Sequence, residues 1–240
     1  MQPGEGVEDA GAYVALGDSI SIDTYAGGPG RGGASLLARN RDDDFPAWHG
    51  KDLAGMPFHL LATDGATTAT LLEVQVPRVA ALRPSLVTLT IGGNDLLAAY
   101  GRTRAARRAV ASVREGLRRT LGVLGSLSPV PRVVVGTVYD PTDGTGNAAA
   151  LGLPPWPSAL SVLAELNEAL RAGAAEHGAA VAEIHRTFRG HGLARGDPAQ
   201  PDPRPADPGL WYCHVIEPNA WGASGVRAAF WESLRGRPWR

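Results

Sequence analysis

The chain alternates between two hydrophobic patterns. Short apolar runs rich in β-branched residues are nearly continuous in hydrophobicity, as strands covered on both faces are. They are Ala12–Leu16, Phe58–Ala62, Leu86–Ile91, Arg132–Val138 and Ala179–Ile184. Between them lie segments in which apolar residues recur every three or four positions, the period of an amphipathic helix. These predicted helices are Thr67–Leu82, Arg102–Leu127, Ser158–Glu176 and Gly222–Leu234.

This alternation of strands and helices predicts βαβ units, and therefore a mostly parallel sheet with helices on both faces. We expect an α/β protein: a flavodoxin-like, three-layer α/β/α sandwich with about five strands. The chain of 240 residues has no internal repeat and no shift in composition that marks a boundary. Residues 1–240 are therefore predicted to form a single domain.

Composition narrows the function classes. The formal net charge is -1, so general nucleic-acid binding is not expected. A single cysteine, Cys213, excludes an intramolecular disulfide framework and a cysteine-based metal site. The N-terminal segment has neither the basic region nor the apolar run of a signal peptide, and no stretch approaches the ~20 apolar residues that span a bilayer. These features predict a soluble, cytoplasmic protein with no membrane span.

Polar motifs follow three predicted strands at the point where each strand ends, and a fourth precedes the last helix. In chain order they are Gly17-Asp18-Ser19, Thr63-Asp64-Gly65-Ala66-Thr67, Gly92-Gly93-Asn94-Asp95 and Glu217-Pro218-Asn219. Ligands of parallel sheets bind at the carboxyl ends of the strands. The motifs therefore predict a site at that edge, with a serine hydroxyl in it.

Together and in this order, the motifs resemble the SGNH hydrolases, also called the GDSL esterase/lipase family. The resemblance extends from Tyr13 to about Leu234. It implies that Ser19 is the nucleophile of a two-step acyl transfer, and that the oxyanion is held by the N–H groups of Ser19 and Gly65 and the side-chain amide of Asn94. The implied substrate is a small-molecule carboxylic ester or thioester, cleaved through an acyl-enzyme with no metal and no organic cofactor.

The residue types suit that chemistry. Serine attack pushes negative charge onto a carbonyl oxygen, which needs preorganised donors, and an asparagine amide donates without adding a charge. Taken singly, the motifs have simpler interpretations: Ser19 could cap a helix, and Asn94 could be a turn residue. Ser21 is a second hydroxyl nearby, and Asp95 is expected to orient the loop rather than act as a base.

The last motif departs from the family pattern, which is Asp-x-x-His-Pro with histidine as the general base. Here the matching string is His214-Val215-Ile216-Glu217-Pro218, so Glu217 occupies the histidine position. Three hypotheses follow: His214 is the base and Glu217 orients it, Glu217 acts directly on Ser19 with a pKa raised by burial, or the base is lost. The motif register favours Glu217, whereas the intrinsic pKa of imidazole favours His214, which we prefer at this stage. A metal-binding His-x-x-Glu pair lacks a third ligand of matching spacing.

Two functional alternatives share the same fold. One is an acyltransferase, and the other is a non-catalytic ligand-binding protein that has lost its general base. Finally, the segment Asp197–Gly209 has five prolines in thirteen residues and leads to His214. It is predicted to be a loosely packed loop that borders the site and gates it.

Overall fold

The computed structural model describes residues 11–235, so most of the N-terminal segment on which the cytoplasmic prediction rests lies outside it. Five parallel strands form the main sheet in the order β2-β1-β3-β4-β5. They are β1 (Ala12–Gly17), β2 (Phe58–Leu60), β3 (Pro84–Thr90), β4 (Arg132–Gly136) and β5 (Ala180–Ala182). Each corresponds to one predicted apolar run, which confirms the predicted parallel α/β sheet.

The α-helices of the described residues are α1 (Gly33–Ala38), α2 (Thr68–Thr70), α3 (Val76–Val79), α4 (Gly93–Leu97), α5 (Thr103–Gly125), α6 (Ala159–Glu176), α7 (Ile184–Thr187) and α8 (Ala220–Arg235). The helical period predicts all of them except the short helices α1, α4 and α7. The predicted helix Thr67–Leu82 is interrupted: a π-helix, Leu71–Gln75, joins α2 to α3, and a 3-10 turn, Ala80–Leu82, follows. None of the helices within residues 11–235 is long and apolar enough to cross a membrane.

The two faces of the sheet build separate apolar layers, because successive strand residues point to opposite sides. On one face, Val14 and Leu16 of β1 belong to the core formed with α5 and α6. On the other, Tyr13 and Ala15 belong to the core formed with α1 and α8. The fold is therefore a three-layer α/β/α sandwich, as expected from the sequence.

Strand order positions the motifs. β1 lies between β2 and β3, so the Ser19 turn at the end of β1 is flanked by the Gly65 turn on one side and by Asn94 on the other. At this edge Gly17 pairs with Thr90, and the Asp18 N–H donates to the Thr90 carbonyl oxygen at 3.1 Å. The strand ends are thus held together where the motifs begin.

The last motif lies in a small hairpin. β6 (Tyr212–Cys213) pairs with the antiparallel β7 (Glu217–Pro218), and Cys213 stands opposite Glu217. α8 begins directly after this hairpin, at Ala220. The hairpin therefore delivers the fourth motif to the edge at which the other three meet.

The prediction of a loosely packed proline loop is wrong. The backbone carbonyls of residues in Asp197–Gly209 accept hydrogen bonds from the N–H groups of His214, Val215 and Ala220 at 2.8–3.0 Å. Arg204 forms an ion pair with Asp44 at 2.8 Å, which ties the loop to a distant segment. Proline removes donors but leaves every carbonyl free to accept, so a proline-rich segment can still be firmly anchored.

Candidate active site

Ser19 lies in a tight turn that begins where β1 ends. Gly17 has φ +119°, and a Cβ at this position would lie 1.8 Å from the Thr90 carbonyl oxygen, so only glycine fits between the strands. The turn is closed by hydrogen bonds from Ser21 N–H to the Asp18 carbonyl and from Ile22 N–H to the Ser19 carbonyl. The next helical segment is a single 3-10 turn, Thr24–Ala26. Ser19 itself is only 7% exposed.

Gln75 supports this turn, and the sequence analysis did not identify it. Its Oε1 accepts from the Gly17 N–H at 2.7 Å, and its Nε2 donates to the Gly17 carbonyl at 2.8 Å. The side chain is fully buried at the end of the π-helix. It completes the hydrogen bonding of the last β1 residue, which is the role of a neighbouring strand. π-Helical turns are frequent at functional sites, but no local pattern in the sequence indicates this one.

Asn94 occupies the first turn of α4. Its Nδ2 donates to the Ala66 carbonyl at 3.0 Å, which uses one of the two amide hydrogens and leaves the other free to donate. The adjacent Asp95 accepts from the Thr68 N–H at 3.0 Å and from the Thr68 hydroxyl at 3.2 Å. α4 is thereby tied to the turn that contains Gly65, in keeping with the orienting function expected for Asp95.

Two backbone donors remain available beside Asn94. Gly65 has φ +66° and is exposed in the turn closed by the bond from Ala66 N–H to the Thr63 carbonyl. Within the described part of the chain, the N–H groups of Ser19 and Gly65 donate to no protein acceptor. Unpaired donors at a strand edge suit an incoming oxyanion.

Glu217 faces the serine. The Ser19 hydroxyl lies within hydrogen-bonding reach of its carboxylate. The side chain is 8% exposed, and its Oε2 is buried without a hydrogen-bond partner. Burial raises the pKa of Glu217 to about 7, and the hydrogen bond from Ser19 and the negative charge of Asp64 act on it with smaller, opposed effects.

The hairpin geometry explains why Glu217 points inward and His214 does not. Cys213 and Glu217 are paired across the hairpin, so His214, Val215 and Ile216 form its connecting turn. His214 and Val215 adopt φ +48° and +77°, values rare outside glycine. His214 is exposed at this turn, and its ring packs against Tyr25 with centroids 5.8 Å apart. The His214 ring thus lies against Tyr25, whereas the carboxylate of Glu217 lies against Ser19.

Tyr139 holds the backbone immediately before Glu217, and the sequence did not predict it as a site residue. Its hydroxyl donates to the Ile216 carbonyl at 2.6 Å. The ring is held between other aromatic side chains, stacked on Phe188 at 4.6 Å and edge-on to Tyr212 at 5.2 Å. A rigid aromatic donor thus anchors the residue immediately before Glu217.

A second carboxyl lies next to the serine. Asp18 is buried and accepts hydrogen bonds from the Thr90 hydroxyl and from the Ile20 N–H, the latter at 3.2 Å. Burial raises the pKa of Asp18 to about 7, and the nearby Glu217 charge contributes to the rise. Burial therefore disfavours the ionisation of both Glu217 and Asp18.

An apolar cavity of about 140 Å³ opens at Ser19 and Asn94. It runs between α4, α6 and the segment 138–156. Residues of the proline-rich loop do not line it, so that loop is separated from this cavity. Residues 11–235 contain no group of three or more histidine, cysteine, aspartate or glutamate side chains arranged to hold a metal ion.

The same architecture occurs in solved hydrolase structures. Phospholipase A1 from Streptomyces albidoflavus matches with TM-score 0.64 and 25% identity over 94% of this chain and 100% of that one. The extracellular lipase from Streptomyces rimosus matches with TM-score 0.66 and 26% identity over the same shares. A variant of an acetyl xylan esterase from Geobacillus stearothermophilus shares the fold, with TM-score 0.63 and 16% identity over 97% of this chain and 99% of that one. The class of protein is therefore an α/β hydrolase with a parallel five-stranded sheet.

Sequence comparison defines the family within that class. The model of the GDSL-like lipase/acylhydrolase family matches residues 15–223. A lipase from Streptomyces rimosus is 30% identical over 203 residues, which cover 78% of this chain and 74% of that protein. The chain belongs to the GDSL-like lipase/acylhydrolase family, and its reaction is the hydrolysis of ester bonds.

Proposed function

We propose that this esterase works with a serine–glutamate pair, in which Ser19 is the nucleophile and Glu217 takes its proton directly. The observation that carries the proposal is the placement of the Glu217 carboxylate within hydrogen-bonding reach of the Ser19 hydroxyl, while His214 is exposed at the hairpin turn. These observations favour Glu217 as the base, whereas the intrinsic pKa of imidazole favours His214.

Burial makes a carboxylate adequate for this task. A glutamate at its ordinary pKa would be too weak a base for a serine proton near neutral pH, because proton transfer is most effective when the pKa of the base lies near the working pH. The desolvated Glu217, with a pKa of about 7, approaches that condition. Its protonated form is then also acidic enough to return the proton to a leaving alkoxide.

The reaction proceeds in two steps, the acylation of Ser19 and the hydrolysis of the acyl-serine. The Ser19 oxygen bonds to the ester carbonyl carbon as its proton passes to Glu217. The N–H groups of Ser19 and Gly65 and the Asn94 amide hold the resulting oxyanion. The bond to the alcohol oxygen breaks, and Glu217 gives its proton to that oxygen. Water then attacks the acyl-serine and gives a proton to Glu217. The carboxylic acid departs as that proton returns to Ser19.

Variants of the two rival bases test the proposal. Glu217→Gln should lower kcat for short p-nitrophenyl esters by about 10²–10⁴-fold, the usual contribution of a general base. His214→Ala should change kcat less than about threefold. The kcat/KM of the wild type should rise with pH through a pKa near 7, because only the ionised carboxylate accepts a proton.

A fluorophosphonate probe separates loss of the base from loss of the nucleophile. Wild-type protein should be labelled at Ser19, and Ser19→Ala should not be labelled. Severe loss of activity in His214→Ala with a mild effect of Glu217→Gln would overturn the assignment of the base. Wild-type protein that is neither labelled nor active would instead show a binding protein that lacks catalysis.

A further inference from the structure

We infer that Tyr25 is a positioning residue for the oxyanion site: its hydroxyl holds Asp64 and thereby orients the adjacent Gly65 N–H toward the reacting carbonyl. The Tyr25 hydroxyl donates to the Asp64 carboxylate at 2.9 Å. The inference rests on the proposed function only in taking the Gly65 N–H as an oxyanion donor. The evidence is the support of Tyr25, its contact with the hairpin and the way the Gly65 turn is anchored.

Hydrogen bonds fix the backbone from which the Tyr25 side chain projects. Tyr25 lies in the 3-10 turn Thr24–Ala26, which is closed by a hydrogen bond to the Asp23 carbonyl at 3.1 Å. The Asp23 carboxylate also accepts from the N–H groups of Gly30 and Gly32 at 2.9 and 2.7 Å. The glycine-rich segment that follows is therefore bound to the same turn, which makes it a firm support.

Tyr25 also contacts the hairpin that carries Glu217. The Cys213 thiol donates to the Tyr25 carbonyl at 3.6 Å, and Cys213 is paired with Glu217 across the hairpin. The Tyr25 ring packs against His214 with centroids 5.8 Å apart. Tyr25 thus contacts the hairpin through its carbonyl and its ring, and the Gly65 turn through its hydroxyl.

The Gly65 turn is anchored by the protein at both ends, and Tyr25 anchors its tip. The Thr63 N–H donates to the last carbonyl of β1 at 3.0 Å, and the Ala66 carbonyl accepts from Asn94 at 3.0 Å. Within residues 11–235, the bond from Tyr25 is the one hydrogen bond that reaches the tip residues 64 and 65. Glycine is conformationally permissive, so loss of this bond should let the peptide that carries the Gly65 N–H rotate.

The hydrogen bond has the character of a tether. Burial and the hydrogen bond to Asp64 raise the pKa of Tyr25 to about 12, so the hydroxyl remains a donor at neutral and mildly alkaline pH. Its acceptor is a carboxylate, and hydrogen bonds to ionised acceptors are stronger than neutral ones. Because Asp64 is exposed, water can partly replace the bond, and we expect a moderate effect on catalysis.

Tyr25→Phe removes the hydroxyl and keeps the ring. At about pH 8.5, where Glu217 is mostly ionised, kcat for p-nitrophenyl butyrate should fall about tenfold while KM changes less than about twofold, because an oxyanion donor acts mainly in the transition state. Inhibition by benzeneboronic acid should weaken by a similar factor, since its adduct with Ser19 carries an oxygen in the oxyanion position. Tyr212→Phe is the matched control: within the described residues that hydroxyl is buried without a hydrogen-bond partner, so neither quantity should change.

Variants at position 64 test the bond from its other side, and their exposed position spares the fold. Asp64→Ala removes the acceptor and should lower kcat about as much as Tyr25→Phe, with no further loss in the double variant. Asp64→Asn keeps an oxygen that can accept from Tyr25, so it should be at least about threefold more active than Asp64→Ala. Additive losses in the double variant, or equal activity of Asp64→Asn and Asp64→Ala, would overturn the inference.

The pH profile distinguishes an effect on the oxyanion from an effect on the base. Tyr25→Phe should lower the plateau of the profile far more than it moves the rising limb, because a protonated tyrosine contributes no charge. A displaced limb with an unchanged plateau would assign Tyr25 to the base and overturn the inference. The ionisable groups whose charges interact with Glu217 come from several elements: they are Asp18, Tyr25, Asp64, Tyr139 and Cys213.

Inhibition by benzeneboronic acid keeps this inference separate from the proposed base. If Glu217→Gln is as active as the wild type, the proposed base fails, and weaker inhibition of Tyr25→Phe still supports the positioning of Gly65. If Glu217→Gln is severely impaired while Tyr25→Phe, folded by circular dichroism, matches the wild type in kcat and in inhibition, the positioning function fails and the proposed base stands.

Discussion

At the scale of single residues, our proposal depends on Glu217, which the motif register aligns with the histidine of the Asp-x-x-His-Pro pattern. Glu217 begins the second strand of the buried hairpin, opposite Cys213, and its side chain lies against Ser19. The environment then adapts the residue: desolvation raises the pKa of Glu217 toward neutrality. Substitutions at position 217 can therefore change the chemistry of the side chain while leaving its place in the fold unchanged.

The double variant His214→Asp, Glu217→His restores the Asp-x-x-His-Pro string. Asp tolerates the left-handed backbone of position 214 better than most residues, which favours the new pair. We expect kcat at least tenfold above that of Glu217→Gln, with the rising limb of the pH profile near the histidine value of ~6.5. Glu217→His alone should be weaker, since nothing orients its ring. Equal activity in the single and double variants would argue against orientation by position 214.

Removal of the Asn94 amide should act on the chemical step. Asn94→Ala is expected to lower kcat by about 10²–10³-fold with a small change in KM, because an oxyanion donor acts mainly in the transition state. Asp95→Asn is the neighbouring control: it weakens the bonds to Thr68 and should lower the Tm more than kcat. A change confined to KM in Asn94→Ala would instead assign the amide to ground-state binding.

At the scale of elements, the site depends on how one helix meets one strand. The π-helix Leu71–Gln75 turns Gln75 toward the end of β1, where it pairs with both backbone groups of Gly17. Gly17 in turn allows β1 to approach β3 closely. The nucleophile turn is thus held by contacts between elements rather than by its own sequence.

Replacement of Gln75 tests this support. Gln75→Met keeps the length of the side chain and leaves the Gly17 N–H buried without a partner, whereas the Gly17 carbonyl keeps its hydrogen bond from the Thr63 N–H at 3.0 Å. The free energy of unfolding should therefore fall by about 1–3 kcal/mol. We also expect a fall in kcat larger than the change in KM, because the Ser19 turn loses its support. Gln200→Met is the control: Gln200 bonds to the Tyr212 carbonyl at 2.8 Å but is partly exposed, so water can replace it at lower cost. Equal destabilisation by the two substitutions would contradict the argument.

At the scale of the whole molecule, the site reduces stability near neutral pH. Glu217 has a folded pKa of about 7, above its ordinary value of 4.5, so the folded state binds more protons than the unfolded state between these values. The free energy of unfolding therefore falls as pH rises from about 4.5 to about 7. Asp18, raised to about 7 by burial, acts in the same direction.

Glu217→Gln should consequently have a much lower kcat than the wild type and yet be more stable at pH 8, by up to about 3 kcal/mol. The difference should be small near pH 4, where the wild-type carboxyl is mostly neutral in both states. Urea unfolding at the two pH values measures it, with the exposed Glu232→Gln as a control that changes little. A Glu217→Gln protein less stable than the wild type at pH 8 would show that the ionised carboxylate is stabilised in the fold.

The strands, most of the helices and the order of the motifs follow from the sequence by itself. Continuous apolar runs predict buried parallel strands, and polar residues at their ends predict the edge of the sheet where Ser19, Gly65 and Asn94 gather. These features are local or depend on chain order, so periodicity and spacing suffice to predict them. The cytoplasmic location remains a prediction from the N-terminal sequence.

The tertiary structure decided the rest. Our proposal of Glu217 rather than His214 as the base depends on the register of the β6–β7 hairpin, which intrinsic pKa values do not reflect. The support from Gln75 and the cavity beside Ser19 join residues far apart in sequence, and no single segment carries a signal for them. Even the proline-rich loop, which its composition predicted to be loose, is anchored by carbonyls whose partners lie in other segments. Side-chain direction and pairing between distant segments are properties of packing, and so they become determined only once the chain is folded.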